Sequence, residues 1–244
     1  MWEKKKVAVY TGTKNLYRMM VPAVKSLLTN SDVDDIYLYI EDDVFPKEYG
    51  MPEEIVHVVN CKDQKYFKPD GPNMKSKFTY MALMRAAMAK EFENLDRILA
   101  LDVDTIVVDD ISKLWDLPLG DKYYLAASEE PGATEIKDIP YYNIGVCLYN
   151  LEKLRDGKCD EVIEALNTKE YKYMEQDAFS ELCQGAIYDM PSMYNSCDFT
   201  KPCSKPKIAH FAGYKKWDGR TIVEQYMKSP WKEVMKYRKW RYEK

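Results

Sequence analysis

Short apolar blocks of strand length alternate along this chain with longer stretches whose apolar residues recur at helical spacing. That alternation points to an α/β layer fold. Val7–Tyr10, Ile36–Ile40, Ile55–Val59, Ile98–Leu101, Tyr123–Ala127, Ile144–Tyr149 and the short Ile208–Phe211 read as strands. Leu16–Leu28 puts Val21, Val24, Leu27 and Leu28 on one helical face, and Asp160–Leu166 and Glu175–Cys183 read as further helices. A long helix is predicted over Lys75–Phe92, where Phe78, Met81, Ala82, Arg85, Met88 and Ala89 follow helical spacing. A methionine stripe of this kind is core rather than a cofactor box. With 244 residues, no internal repeat and no linker composition, one domain is the expectation. Residues 1–220 are assigned to it, and residues 221–244 to a basic, aromatic, helical tail.

Composition narrows the classes. Hydrophobic residues make up 46% and charged residues 31%, a soluble globular profile. No run approaches the ~18 apolar residues of a membrane span. The apolar block after Lys4-Lys5-Lys6 is too short for a signal peptide and reads as the first strand, so a cytoplasmic location is expected. The six cysteines lack Cys-x-x-Cys spacing and are expected as reduced thiols; Cys197, Cys203 and His210 meet no zinc pattern. A net charge of −4 argues against a general nucleic-acid binder. From Lys228 to Lys244, however, seven basic residues face two acidic ones, interleaved with Trp231, Tyr237, Trp240 and Tyr242. Such a segment suits peripheral contact with an anionic membrane face, or a helix that packs its aromatics on the domain.

Arg97–Val108 carries the chemistry. An apolar strand runs into Asp102 and Asp104, two residues apart, before the chain turns apolar again. In an extended segment both carboxylates point to one side. They could then share a hard divalent cation that also binds substrate phosphate. The competing reading is a solvated acidic turn after a strand.

Asp102-Val103-Asp104 resembles the DxD motif of nucleotide-sugar-dependent glycosyltransferases of the GT-A fold. Four more segments, in order, resemble family 8 of these enzymes: Val7–Tyr17, Tyr142–Leu151 (YNIGVCLYNL), Glu175-Gln176-Asp177, and His210–Trp217 (HFAGYKKW). The chain departs from the family pattern at Glu175, usually Asp, and lacks proline between Lys216 and Trp217. The family's arginine before DxD could be Arg85, with Lys77 as the other option. The resemblance implies a single Rossmann-like GT-A domain, with a mixed, mostly parallel central sheet flanked by helices.

It further implies transfer of a hexose-type sugar from a nucleoside diphosphate sugar, a UDP-sugar in the first instance, to a hydroxyl of a glycan or glycolipid, with retained configuration. Asp102, Asp104 and His210 would hold the cation. The imidazole favours Mn²⁺, with Mg²⁺ as the alternative. Lys216 would meet the diphosphate. Asn143 and Gly145 would lie beside the donor sugar, and Thr11, Asn15 and Tyr17 near base and ribose, Tyr17 as a stacking ring or as core. Val103, Lys77, Arg85 and Gly213 complete the donor contacts. Gln176, Glu175 and Asp177 would face the anomeric carbon and the acceptor. Gln176 is a weak nucleophile, which favours front-face displacement. Three other readings compete: a catalytically weak nucleotide-sugar-binding scaffold, a haloacid-dehalogenase-type phosphatase, and a sugar nucleotidyltransferase. The phosphatase lacks its downstream acidic pair, and the nucleotidyltransferase lacks its glycine-rich loop.

Overall fold

The computed structural model describes residues 4–43, 48–76, 78–213, 217 and 219–242. Nine strands are present among them: β1 Val7–Thr11, β2 Asp35–Ile40, β3 Val56–Asn60, β4 Arg97–Leu101, β5 Thr105–Val107, β6 Leu125–Glu129, β7 Tyr142–Asn150, β8 Ile187–Asp189 and β9 Ile208–His210. Seven form one sheet in the order β3-β2-β1-β4-β7-β6-β8. The half β3-β2-β1-β4 is parallel, β7 runs antiparallel to both β4 and β6, and β8 returns parallel to β6. The sheet is therefore mixed and mostly parallel, flanked by helices, as the resemblance implies.

Every residue of β1 is buried, as are all but the first of β4. Parallel strands read as continuous apolar runs because both faces are covered. One face carries a core with Met81, Met84, Met88, Val162 and Phe179; the other packs Val21, Val24, Leu27 and Leu28 of the Tyr17–Asn30 helix against Ala8, Tyr10, Leu99 and Leu101. The chain leaves β1 on one side toward β2 and β3, then returns on the other side as β4. Ligands of open α/β sheets sit at the carboxyl ends of strands beside such a reversal, and here those ends present Thr11 and Asp102.

Two expectations are corrected. The long Lys75–Phe92 helix is instead a 3₁₀ segment, Tyr80–Ala87, closed by one α turn, Met88–Glu91. Thr79 caps it through Met81 N, and residues 72–75 are turns. The apolar spacing there reports burial against the sheet and does not specify which ladder the backbone adopts. Asp102 and Asp104 do not lie on an extended strand: β4 ends at Leu101 and the two residues form a turn, closed by Thr105 N and Thr105 Oγ1 on Asp102 O at 3.2 and 2.7 Å. Between β6 and β7 lies a helix, Pro131–Lys137, with proline in its first turn and Asp138 left-handed at its end.

The β5 and β8 strands had no matching sequence reading. β5 pairs with β9 in a separate two-stranded ladder, with Thr105 opposite His210. The tail forms two helices, Thr221–Lys228 and Trp231–Tyr242. They pack on the Tyr17–Asn30 helix: Lys25 Nζ donates to Ser229 O at 2.7 Å and lies over the Trp231 ring, and Trp231 Nε1 donates to Tyr49 O. Among the described residues no helix is long and apolar enough to cross a membrane.

Candidate active site

The acidic turn and His210 come from residues about a hundred positions apart, joined by the β5–β9 ladder. His210 is buried, and its Nε2 lies 3.5 Å from Asp102 Oδ2 and 3.4 Å from Asp104 Oδ1. One ligand atom from each residue falls within 4.8 Å of the other two. Cis ligands held about 2.1 Å from one ion stand roughly 3 Å apart, a few tenths of an ångström less than the two His210–carboxylate separations. Gly145 keeps this space open. A Cβ there would sit 2.3 Å from His210 Cε1 and 2.7 Å from Asp102 Oδ2. The glycine is required by approach, since Asp102 N already donates to Gly145 O at 2.6 Å.

Arg85 is the arginine of the site. Its Nη1 meets Asp102 Oδ1 at 2.7 Å and Ile144 O at 3.2 Å, while Nε and Nη2 both reach Glu175 Oε1. Asp102 therefore spends one oxygen on the guanidinium and turns the other toward His210. Glu175 is 2% exposed and serves as the counter-ion of Arg85. Asp177 is also engaged: Tyr141 OH and Tyr173 N donate to it at 2.7 and 2.8 Å, and Lys137 pairs with it. Gln176 donates through Nε2 to Tyr141 Oη and Glu130 Oε1, and accepts from Ile144 N.

Two further residues belong to this network and had no sequence reading. Glu130 accepts from Asn143 Nδ2 at 2.7 Å as well as from Gln176. In sequence it is the second acid of Glu129-Glu130-Pro131, which signals only a helix start. Asn195 accepts from His210 Nδ1 at 2.7 Å. It follows a turn, where asparagine is common for purely local reasons.

The loop residues are placed more loosely. Thr11 closes β1, and Asn15 Oδ1 accepts from Thr13 Oγ1. Tyr17, named as a stacking ring or as core, is buried among Tyr10, Met20 and Leu38, with its hydroxyl donating to Asp42. Val103 is buried in the DxD turn, and Gly213 has φ +74° with Phe199 against it. Lys77 and Lys216 lie outside the described residues. His57 stays apart, 2.7 Å from Asp35. All six cysteines are free.

Charge is concentrated here. Desolvation works against ionisation of Asp102, but the Arg85 guanidinium and His210 outweigh it and hold the carboxyl well below the usual carboxylate range. Burial disfavours the His210 imidazolium, and hydrogen bonds to Asp102 and Asp104 reverse this, raising it well above the ordinary histidine value. Burial raises the Glu130 carboxyl against its two amide donors. Counting Asp102, Asp104 and Glu175 against Arg85, a neutral His210 leaves two negative charges uncompensated, which a dication matches.

Comparison with known proteins agrees with this architecture. General stress protein A of Bacillus subtilis is 25% identical over 261 aligned residues, covering 88% of this chain and 87% of that protein. The glycosyltransferase GlyE of Streptococcus pneumoniae superposes with a TM-score of 0.72 at 22% identity, over 96% of this chain but 63% of GlyE. The galactosyltransferase LgtC, solved with donor and acceptor sugar analogs, superposes at 0.65 and 18% identity, over 93% and 94% of the two chains. The sequence model of glycosyl transferase family 8 matches residues 8–221. The chain belongs to glycosyl transferase family 8, and it is a glycosyltransferase of the GT-A fold.

Proposed function

We propose that this glycosyltransferase moves a hexose-type sugar from a nucleoside diphosphate sugar, in the first place a UDP-sugar, to a hydroxyl of a glycan or glycolipid, with retained configuration and with Mn²⁺ as its cation. The observation that carries the reading is the convergence of Asp102, Asp104 and His210 on one point beside Gly145. Their donor set, two carboxylates and an imidazole, fits Mn²⁺ better than Mg²⁺, which prefers oxygen ligands. Bound there, the ion would supply neutralisation of the departing diphosphate.

The chain's own residues do the remaining work. Arg85 holds Asp102 in a single orientation and keeps it ionised. Asn143 and Gln176, both anchored on Glu130, offer an amide frame suited to reading sugar hydroxyls. Gln176 is restrained by three protein partners, which favours a positioning role near the anomeric carbon and a front-face displacement over a covalent intermediate. Glu175 acts through Arg85, while Asp177 fixes Tyr141. Lys216 is the expected cation for the diphosphate. Peripheral membrane contact through Lys228–Lys244 would bring a glycolipid acceptor within reach.

Incubation with Mn²⁺ and a panel of UDP- and GDP-sugars tests the reading. Slow release of UDP, abolished in Asp104→Asn, is expected. Donor binding without turnover for any sugar or acceptor would return the scaffold reading. The anomeric configuration of the product, read by NMR, tests retention.

A further inference from the structure

Asn195 is fully buried, and its side chain joins two parts of the site that no sequence motif connects. Its Oδ1 lies 2.7 Å from His210 Nδ1. Its Nδ2 donates to Asn143 Oδ1 at 2.8 Å and to the backbone Asn143 O at 3.2 Å. The amide cannot be turned round. A backbone carbonyl only accepts, so the group facing Asn143 O must be the NH₂. Asn143 Oδ1 is identified in the same way, because it accepts from the backbone Gly145 N at 3.0 Å. The oxygen of Asn195 therefore faces the imidazole, and Nδ1 must carry a proton. In the neutral ring this leaves the Nε2 lone pair directed at Asp102 and Asp104.

We propose that Asn195 is the positioning residue that sets the His210 tautomer, transmitting the polarity of the β7 backbone at Asn143 to the cation-facing nitrogen. Asn195 is held for this role at its own backbone, where Thr200 Oγ1 donates to its carbonyl at 2.7 Å and its N–H donates to Ser192 O at 3.0 Å. Partners of this kind orient metal-bound histidines, and their loss typically costs 10–100-fold in metal affinity. The inference rests on the reading of Asp102, Asp104 and His210 as a cation site, and it extends that reading to a residue outside the set.

Two measurements test it. Mn²⁺ affinity, read by electron paramagnetic resonance without nucleotide, is compared in the wild type, Asn195→Asp and Asn195→Leu, with thermal unfolding followed in parallel. Aspartate keeps an acceptor for Nδ1–H and, as the protonated acid, an O–H for Asn143 O, whereas leucine of similar volume removes both. Asn195→Asp is expected within about threefold of the wild type and Asn195→Leu at least tenfold weaker. Equal affinities in the two variants, or a weaker Asn195→Asp, would overturn the proposal. The second measurement needs no variant to fold. The chain has two histidines, so ¹⁵N-histidine spectra of the metal-free protein resolve two rings. Once raised pH has made the His210 ring neutral, its proton is expected on Nδ1; a proton on Nε2 overturns the proposal. A wild type that binds no Mn²⁺ would defeat the cation reading, and the tautomer would still stand or fall by its own spectrum.

Discussion

Gly145 shows how closely single residues are constrained at this site. Because a Cβ would fall inside contact distance of both His210 and Asp102, Gly145→Ala is expected to lower Mn²⁺ affinity more than tenfold while the β4–β7 ladder persists. Calorimetric titration, with circular dichroism as the check on folding, measures both. A second expectation concerns protons. Metal binding requires a neutral imidazole, and the two aspartates raise His210 well above its ordinary value in the metal-free protein. Below that raised value, affinity should fall about tenfold per pH unit. Below that value the release should approach one proton per ion, measurable by titration in buffers of different ionisation enthalpy. The acid pair and His210 were legible in the sequence because each lies in a motif. Arg85 was legible only as one of two options. Asn195 and Glu130 were not legible, since an asparagine after a turn and an acid before a proline have ordinary local explanations.

At the scale of elements, the decisive unit is the β5–β9 ladder, which the sequence concealed. Three residues, Thr105–Val107, are too few to show alternation, and Ile208–Phe211 was readable as a strand without its partner. Ile106 lies fully buried among Trp217, Val223 and Tyr226, which clamps the ladder to the Thr221–Lys228 helix. Ile106→Ala should cost roughly 2–5 kcal/mol. Because the ladder carries His210, Mn²⁺ affinity should fall together with the melting temperature. Unchanged affinity in a destabilised protein would show that the ladder does not hold the histidine in place. The 3₁₀ segment Tyr80–Ala87 makes a related point. Its apolar spacing was visible, but the tighter winding that delivers Arg85 between Asp102 and Glu175 depends on what the segment packs against.

Across the whole molecule, the basic tail is also part of the packing. Lys25, buried in the Tyr17–Asn30 helix, places its ammonium on Ser229 O and Met227 O, Asn30 Nδ2 meets the Tyr226 hydroxyl, and Arg238 donates to Val33 O. Truncation after Lys228 would remove Ser229 and Val234, exposing the Lys25 ammonium and the apolar cluster that Val234 joins. It should lower the melting temperature by several degrees, at the ~2–4 °C per kcal/mol usual for chains of this length. If the truncated chain melts like the full one and differs only in sedimentation with anionic vesicles, the tail's contribution is to membranes alone.

The sequence by itself determined what local pattern can encode: alternation of strand and helix, and the motifs that place two carboxylates, a histidine and a glycine in family register. These follow from side-chain periodicity and from residue types whose chemistry is hard to replace. Only the tertiary structure decided that a turn, and not a pleat, aims the aspartates, which cation accompanies Asp102, and how a buried asparagine orients the imidazole. Those outcomes depend on hydrogen-bond partners far apart in the chain, and a donor or acceptor has no partner until the fold supplies one.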